Sequence, residues 1–203
     1  EPLTSADFYS GVNVMPGHVG AGLVFERPTE TADILEALET SRTALVAGPS
    51  GAGKSALTWL AAYHSRHAIR WYRVRRLADL DVPRLIQFAR LLDAGPTRPV
   101  GFVIDDVGRA GVAGWDRLVT EVHAIAGLLV LGSVREEDLF LLESAKSTPI
   151  IRPILDEPLA ERLWSALSSE GKIVFSHWVE PFEQSRGLLL EYTHLLTEGR
   201  RLE

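Results

Sequence analysis

The chain has 203 residues, 46% hydrophobic and 24% charged, with a formal net charge of −6 and no cysteine. That is enough apolar sequence for one α/β domain and a small appendage, while the missing cysteines exclude disulfides and thiolate metal sites. The acidic balance argues against a nucleic-acid clamp, no apolar run approaches the roughly 18 residues of a membrane span, and Glu1 to Ser10 lacks a signal-peptide pattern, so a cytoplasmic setting is expected.

Residues up to Phe25 are turn-rich, with Gly11, Pro16, Gly17, Gly20 and Gly22. Arg27-Pro28-Thr29 then opens a helix, proline being suited to a first turn, and Ile34, Leu35 and Leu38 share its inner face. Residues 43–47 form a short apolar β-type run, and residues 56–63 a good helix former with one apolar face. Between them, Gly48-Pro49-Ser50-Gly51-Ala52-Gly53-Lys54-Ser55 matches G-x-x-x-x-G-K-[ST] in full. Strand, glycine loop and helix stand in the order a phosphate-binding loop requires. Glycines at 48, 51 and 53 permit conformations and close approaches that a Cβ blocks, so successive N–H groups can face phosphate oxygens, and the helix N-terminus adds its dipole. Nucleotide contacts are expected from Gly48 through Ala56, with Lys54 reaching the β- and γ-phosphates and the Ser55 hydroxyl ligating Mg²⁺.

Residues 68–75 read as a second strand. Its Arg70, Arg73 and Arg75, with Arg66 and Arg76 close by, suit a sheet edge, where charge opposes edge-to-edge pairing; nucleic acid is not an expected partner of this module. Val82, Leu85, Ile86, Ala89 and Leu92 recur at helical spacing. Residues 100–104 form the continuous apolar run of a buried parallel strand and end in Asp105-Asp106. An acid there faces the crevice where open α/β sheets bind ligands. Asp105 is therefore expected to hold Mg²⁺ through its water shell, and Asp106 to orient or activate an attacking water.

Trp115, Leu118, Val119, Val122 and Ile125 mark another helix, followed by an apolar strand from Leu128 that brings Arg135 beside the acids. Arg135 can contact the γ-phosphate, or pair instead with Glu136, Glu137 or Asp138. Arg27 can fold back over the base or phosphates, Arg109 can line the same crevice, and for each a solvated surface position is the alternative. Ile150-Ile151 can add a last short strand. Strands alternating with helices imply a parallel sheet with right-handed crossovers.

From Asp156 the pattern is helical only, with stripes at Leu159, Leu163, Trp164, Leu167 and at Leu188, Leu189, Tyr192, Leu195, Leu196. The chain divides accordingly into a lead-in with a helix at 1–42, a core at 43–154 and a helical subdomain at 155–203. His64, His67, His123 and His177 show no metal-binding spacing, and His194 lies off its helix's apolar stripe, where exposure is expected.

Four segments together resemble the STAND class of P-loop NTPases, which includes NACHT and apoptotic-type ATPases, and most of all its novel bacterial modules. They are the loop at 48–55, the strand and turn at 100–111, Ser133-Val134-Arg135-Glu136-Glu137-Asp138, and residues 188–199. The resemblance implies an α/β P-loop NTPase fold, a parallel sheet flanked by helices with a small C-terminal helical subdomain. It makes Lys54 and Ser55 the Walker A residues, Asp105 and Asp106 the Walker B pair, and Arg135 the sensor-1 arginine. Glu26-Arg27 approximates the family's N-terminal nucleotide-contact motif without its glycine, and no winged helix with a histidine motif follows.

Such a module would bind ATP/ADP with Mg²⁺ and hydrolyse slowly through Lys54, Asp106 and Arg135. It would switch the oligomeric state of a longer protein, often in defence against phage. Effector and sensor domains would lie outside this chain, as its start without methionine and its end at Arg200-Arg201-Leu202-Glu203 also suggest. The alternative is a small-molecule or nucleotide kinase, since the loop is similar to that of guanylate kinases, although no acceptor-binding segment follows. A GTPase is disfavoured, because Asn13 is the only asparagine and no Thr-Lys-x-Asp is present.

Overall fold

The glycine loop leaves a strand that is buried from end to end. In the computed structural model, which describes Phe8 and residues 14–171 and 173–199, Ala44, Leu45, Val46 and Ala47 have no exposed surface. The strand, β1 (Thr43–Gly48), belongs to a five-stranded sheet with β2 (Arg70–Val74), β3 (Val100–Ile104), β4 (Leu128–Arg135) and β5 (Ile150–Ile151), in the order β2-β3-β4-β1-β5. Every pairing is parallel. The arginine-bearing β2 lies at the edge, as its charge leads one to expect. It is shorter than the expected 68–75, because the N–H groups of Ala68 and Ile69 turn back to the Ser65 carbonyl.

Two helices, α1 (Pro16–Gly20) and α2 (Pro28–Ser41), precede β1, and three fill the crossovers: α3 (Lys54–His64), α4 (Val82–Leu91) and α5 (Val112–Val122). Side chains alternate across each strand, so Leu45, Ala47, Leu128 and Val130 face α4 and α5, whereas Ala44, Val46, Leu129 and Leu131 face Ile34 and Leu38 of α2 and Leu57 and Ala61 of α3. Trp115 of α5 is fully buried over Gly132, where an added Cβ would lie 2.3 Å from the ring. That close approach explains a glycine inside a buried strand.

After β5 come α6 (Glu157–Ser169), α7 (Val179–Ser185) and α8 (Leu189–Glu198). The first and last match the predicted stripes; α7, seven residues long with Pro181 within it, is too short to have shown a period. Leu159 and Leu163 of α6 and Tyr192 and Leu196 of α8 share a core with Trp59 and Leu60 of α3 and with Phe8, Val19 and Val24. Each such side chain contributes about 1.5–3 kcal/mol by burial. The Tyr192 hydroxyl donates to the Ala160 carbonyl at 2.7 Å and ties α8 to α6, and burial raises its phenol well above the ordinary value. Among the described residues no helix is long and apolar enough to cross a membrane.

Candidate functional site

Strand register brings the chemistry to one edge of the sheet. Gly48, the last residue of β1, pairs with Arg135 of β4, and Ile104, the last of β3, pairs with Gly132. The loop leaving β1, the acids leaving β3 and the end of β4 therefore meet at the carboxyl ends of adjacent strands, where such sheets bind ligands.

Gly51 and Gly53 take φ of +81° and +90°, the left-handed region that a Cβ disfavours. Gly48 does not; a Cβ there would meet only ordinary contacts, the nearest Ala52 Cβ at 3.5 Å. Its glycine is thus not demanded by backbone conformation, contrary to the expectation from the motif. Ser50, Gly51, Gly53, Lys54, Ser55 and Ala56 line a cleft of about 380 Å³. Gly48, Pro49 and Ala52 do not line it, Gly48 and Ala52 being buried and Pro49 exposed to solvent elsewhere.

Ser55 Oγ donates to Asp105 Oδ1 at 2.8 Å, and Ser133 Oγ donates to the same oxygen at 2.9 Å. The Asp106 N–H donates to Ser133 Oγ at 2.8 Å and the Val107 N–H to the Ser133 carbonyl at 2.7 Å. Asp106 itself sits at φ +63°, a region Asp enters more readily than most residues. Hydroxyl and carboxylate oxygens are hard donors that suit Mg²⁺; Ser55 and Asp105 are the residues able to hold it, with a nucleotide's phosphate oxygens completing the shell.

Lys54 Nζ donates to the Pro49 carbonyl at 2.8 Å. Burial holds its ammonium below the ordinary lysine value, against the opposing charges of Asp106 and Glu137, while Arg135 pushes the same way as burial and Asp105 opposes. A phosphate would add to the counter-charge of these acids and favour the ammonium further. Arg135 pairs with Asp106, Nε to Oδ1 at 3.9 Å, both half exposed; the neighbouring Glu136 is taken by Arg152 at 2.8 Å. Such an exposed pair adds little stability and leaves both side chains at the cleft.

Arg27 is 3% exposed, so it is not a solvated surface arginine. It precedes α2, pairs with Glu30 at 3.7 Å, and brings Nη2 within 3.3 Å of where a Cβ on Gly53 would be. The Arg109 side chain lies outside what the structure describes. His194 is half-buried rather than exposed. His64 pairs with Glu26 at 2.8 Å, and no metal-binding cluster of His, Asp or Glu occurs among the described residues.

The remaining walls were not legible as site residues. Leu189, Leu190 and Thr193 of α8 and Leu159 and Leu163 of α6 close one side; Phe8, Val14, Val24 and Phe25 close another. Ser133 carried a usable signal, being a lone hydroxyl in an otherwise apolar strand.

The fold has counterparts among solved structures. C. elegans PCH-2 superposes with a TM-score of 0.51 at 14% identity, over 85% of this chain and 57% of that one. The Walker-type ATPase PABY2304 of Pyrococcus abyssi gives 0.59 at 12%, over 88% and 69%. Thermotoga maritima RuvB, a Holliday junction branch migration motor, gives 0.54 at 16%, over 86% and 61%. This is the P-loop NTPase fold. The chain spans less than two thirds of PCH-2 and of RuvB. It matches no protein-family profile and no curated protein.

Proposed function

We propose that this chain is the ATP/ADP-binding switch module of a larger STAND-type signalling protein. The observation that carries the reading is the convergence of the glycine loop, Ser55 and Asp105 on a single cleft, the two side chains joined by a 2.8 Å hydrogen bond. In this reading the phosphates lie on the N–H groups of residues 50, 51 and 53–56, with Lys54 released from the Pro49 carbonyl to meet them. The base lies against the apolar wall of Phe8, Val14, Val24, Phe25, Leu159 and Leu163.

Magnesium would neutralise charge on the β- and γ-phosphates. Ser55 and Asp105 hold it, Asp106 orients the attacking water, and Arg135 reports the γ-phosphate from a pairing with Asp106 loose enough to exchange. Arg27, which lines the same cleft beside Gly53, contacts the nucleotide.

The division at 42/43 and 154/155, the cytoplasmic setting, nucleotide-dependent self-association through the full-length protein, effector control and a role in defence against phage belong to the same proposal. They rest on the resemblance of the four motif segments.

Titration calorimetry tests it. ATP and ADP bind with Mg²⁺, and Lys54→Ala weakens binding at least about 30-fold, since removing one partner of a hydrogen-bonded charge pair costs about 2 kcal/mol or more. Unchanged affinity in the variant contradicts the assignment. Turnover is slow, and rates of roughly 1–100 s⁻¹ that depend on an added phosphate acceptor indicate a kinase instead.

A further inference from the structure

We propose that Ser133 is a positioning residue that sets both acids for the metal-bound nucleotide, an inference that rests on the nucleotide-binding reading above. Ser133 is 1% exposed, inside a strand that is otherwise apolar through Val134. A hydroxyl offers one donor and two acceptor positions. Here the donor goes to Asp105 Oδ1 at 2.9 Å and one acceptor position takes the Asp106 N–H at 2.8 Å. One oxygen atom thus links the two acids, while the carbonyl of the same residue takes the Val107 N–H at 2.7 Å.

Each link constrains a different degree of freedom. The bond to Asp105 is charge-assisted and so both short and directional. Because Ser55 donates to the same Oδ1, the carboxylate is held from two sides. Among the described residues its Oδ2 takes no protein hydrogen bond, which leaves that oxygen for a metal-bound water. Two successive N–H groups, of Asp106 and Val107, are fixed on Ser133, and between them they hold Asp106 at φ +63°, a conformation that a side-chain-bearing residue keeps only when its surroundings insist on it. The Asp106 carboxylate consequently leaves the backbone in one direction. Hydrogen bonds in such a chain also polarise one another, so Ser55, Asp105, Ser133 and Asp106 respond as a unit to a cation.

A residue that merely filled a polar gap in the core would affect nucleotide binding equally with and without metal. A positioning residue acts on the metal-bound complex alone. The test uses a fluorescent ATP analogue, titrated in Mg²⁺ and in EDTA, together with amide exchange of the nucleotide-free protein. Ser133→Ala is expected to leave the affinity in EDTA within about twofold and to reduce the Mg²⁺-dependent gain about tenfold, the scale of one hydrogen bond to a charged group. Exchange at the Asp106 amide accelerates about tenfold or more, and Ser133→Thr restores both.

Should the alanine chain fail to fold, Ser133→Cys keeps a side chain of the same connectivity but donates and accepts only weakly, and must lose the magnesium gain all the same. Equal loss in EDTA and Mg²⁺, or unchanged exchange at Asp106, overturns the inference. If the unaltered chain binds no nucleotide, the functional reading itself fails; if it binds and Ser133→Ala is indifferent, only the positioning role does.

Discussion

Ser55 Oγ and Asp105 Oδ1 lie 2.8 Å apart although the residues are 50 positions apart in the chain. The first turn of α3 is thereby fastened to the end of β3. On the nucleotide-binding reading, a cation held by these two residues would exchange this bond for two ligand interactions. Ser55→Ala is expected to lower the Mg²⁺-dependent gain in nucleotide affinity about 10- to 100-fold, since a hydrogen bond to a charged group carries about 1.5–3 kcal/mol. Ser55→Thr, which keeps the hydroxyl, retains it. Calorimetry with ADP in Mg²⁺ and in EDTA makes the comparison, and an equal loss under both conditions rules out a metal role for Ser55.

Lys54 is expected to make nucleotide binding sensitive to alkaline pH. Burial is the largest influence on it and lowers its folded value below 10.5, Asp106 and Glu137 opposing. Between the lowered value and 10.5 the unfolded chain binds more protons than the folded one, so this group's contribution to stability rises with pH across that window. Phosphate oxygens reverse the imbalance by favouring the charged ammonium. Binding should then take up a proton in the same window, and affinity should fall as pH rises through it, well above the phosphate's own titration near about 6. Calorimetry in buffers of different ionisation enthalpy measures the uptake. Lys54→Met should abolish it, and proton release on binding by the unaltered chain is the contrary result.

Much of this site is readable in residues alone, and the parts that are not share a cause. The run at residues 100–104 ends in Asp105-Asp106, and an apolar strand followed by acids has few other readings. The loop at 48–55 is similarly self-contained. Arg27 is different: Glu26-Arg27-Pro28 is locally a charged helix start, and only packing against Gly53 buries it. The stripe through Leu189 marks a buried helix face, yet helical periodicity cannot say that Gly51 and Gly53 are what it meets. Ser133 needed the β3–β4 register, which sets it opposite the residue after Ile104. Local pattern encodes element and polarity; partners across the fold come from register and docking.

Gly132 tests whether the sheet behind the cleft tolerates any added atom. A Cβ there would lie 2.3 Å from Trp115 Cζ3 and 2.5 Å from Cη2, and Trp115 has no exposed surface into which to move. Gly132→Ala is expected to cost about 3 kcal/mol, the upper end for overpacking a core, and to lower Tm by roughly 6–12 °C. Gly17→Ala serves as the control, since nothing lies within 4 Å of a Cβ at that helical position and alanine favours a helix. Thermal unfolding of both variants decides the matter; equal midpoints would mean that Trp115 repacks freely.

Helix α8 is fastened to the phosphate loop by its first turn. Leu190 donates its N–H to the Gly51 carbonyl at 2.9 Å, filling a position that an isolated helix leaves unpaired. A Cβ on Gly51 would lie 3.0 Å from Leu190 Cβ, and one on Gly53 2.9 Å from Leu189 Cδ2. The loop therefore offers a carbonyl to the helix, whose Leu189, Leu190 and Thr193 wall the cleft, and on the nucleotide-binding reading a departing nucleotide would pass that wall. Leu190→Pro removes the donor at a first-turn position where proline is tolerated, and Leu190→Ala keeps the donor while trimming the side chain. Release of a fluorescent ADP analogue is expected to quicken about 2- to 10-fold with proline, matching the 0.5–1.5 kcal/mol of one neutral hydrogen bond, and by less with alanine. Stopped-flow measurement on variants with unchanged helical circular dichroism checks this. Equal acceleration by both substitutions would assign the effect to lost packing, and none in either would free the loop from α8 altogether.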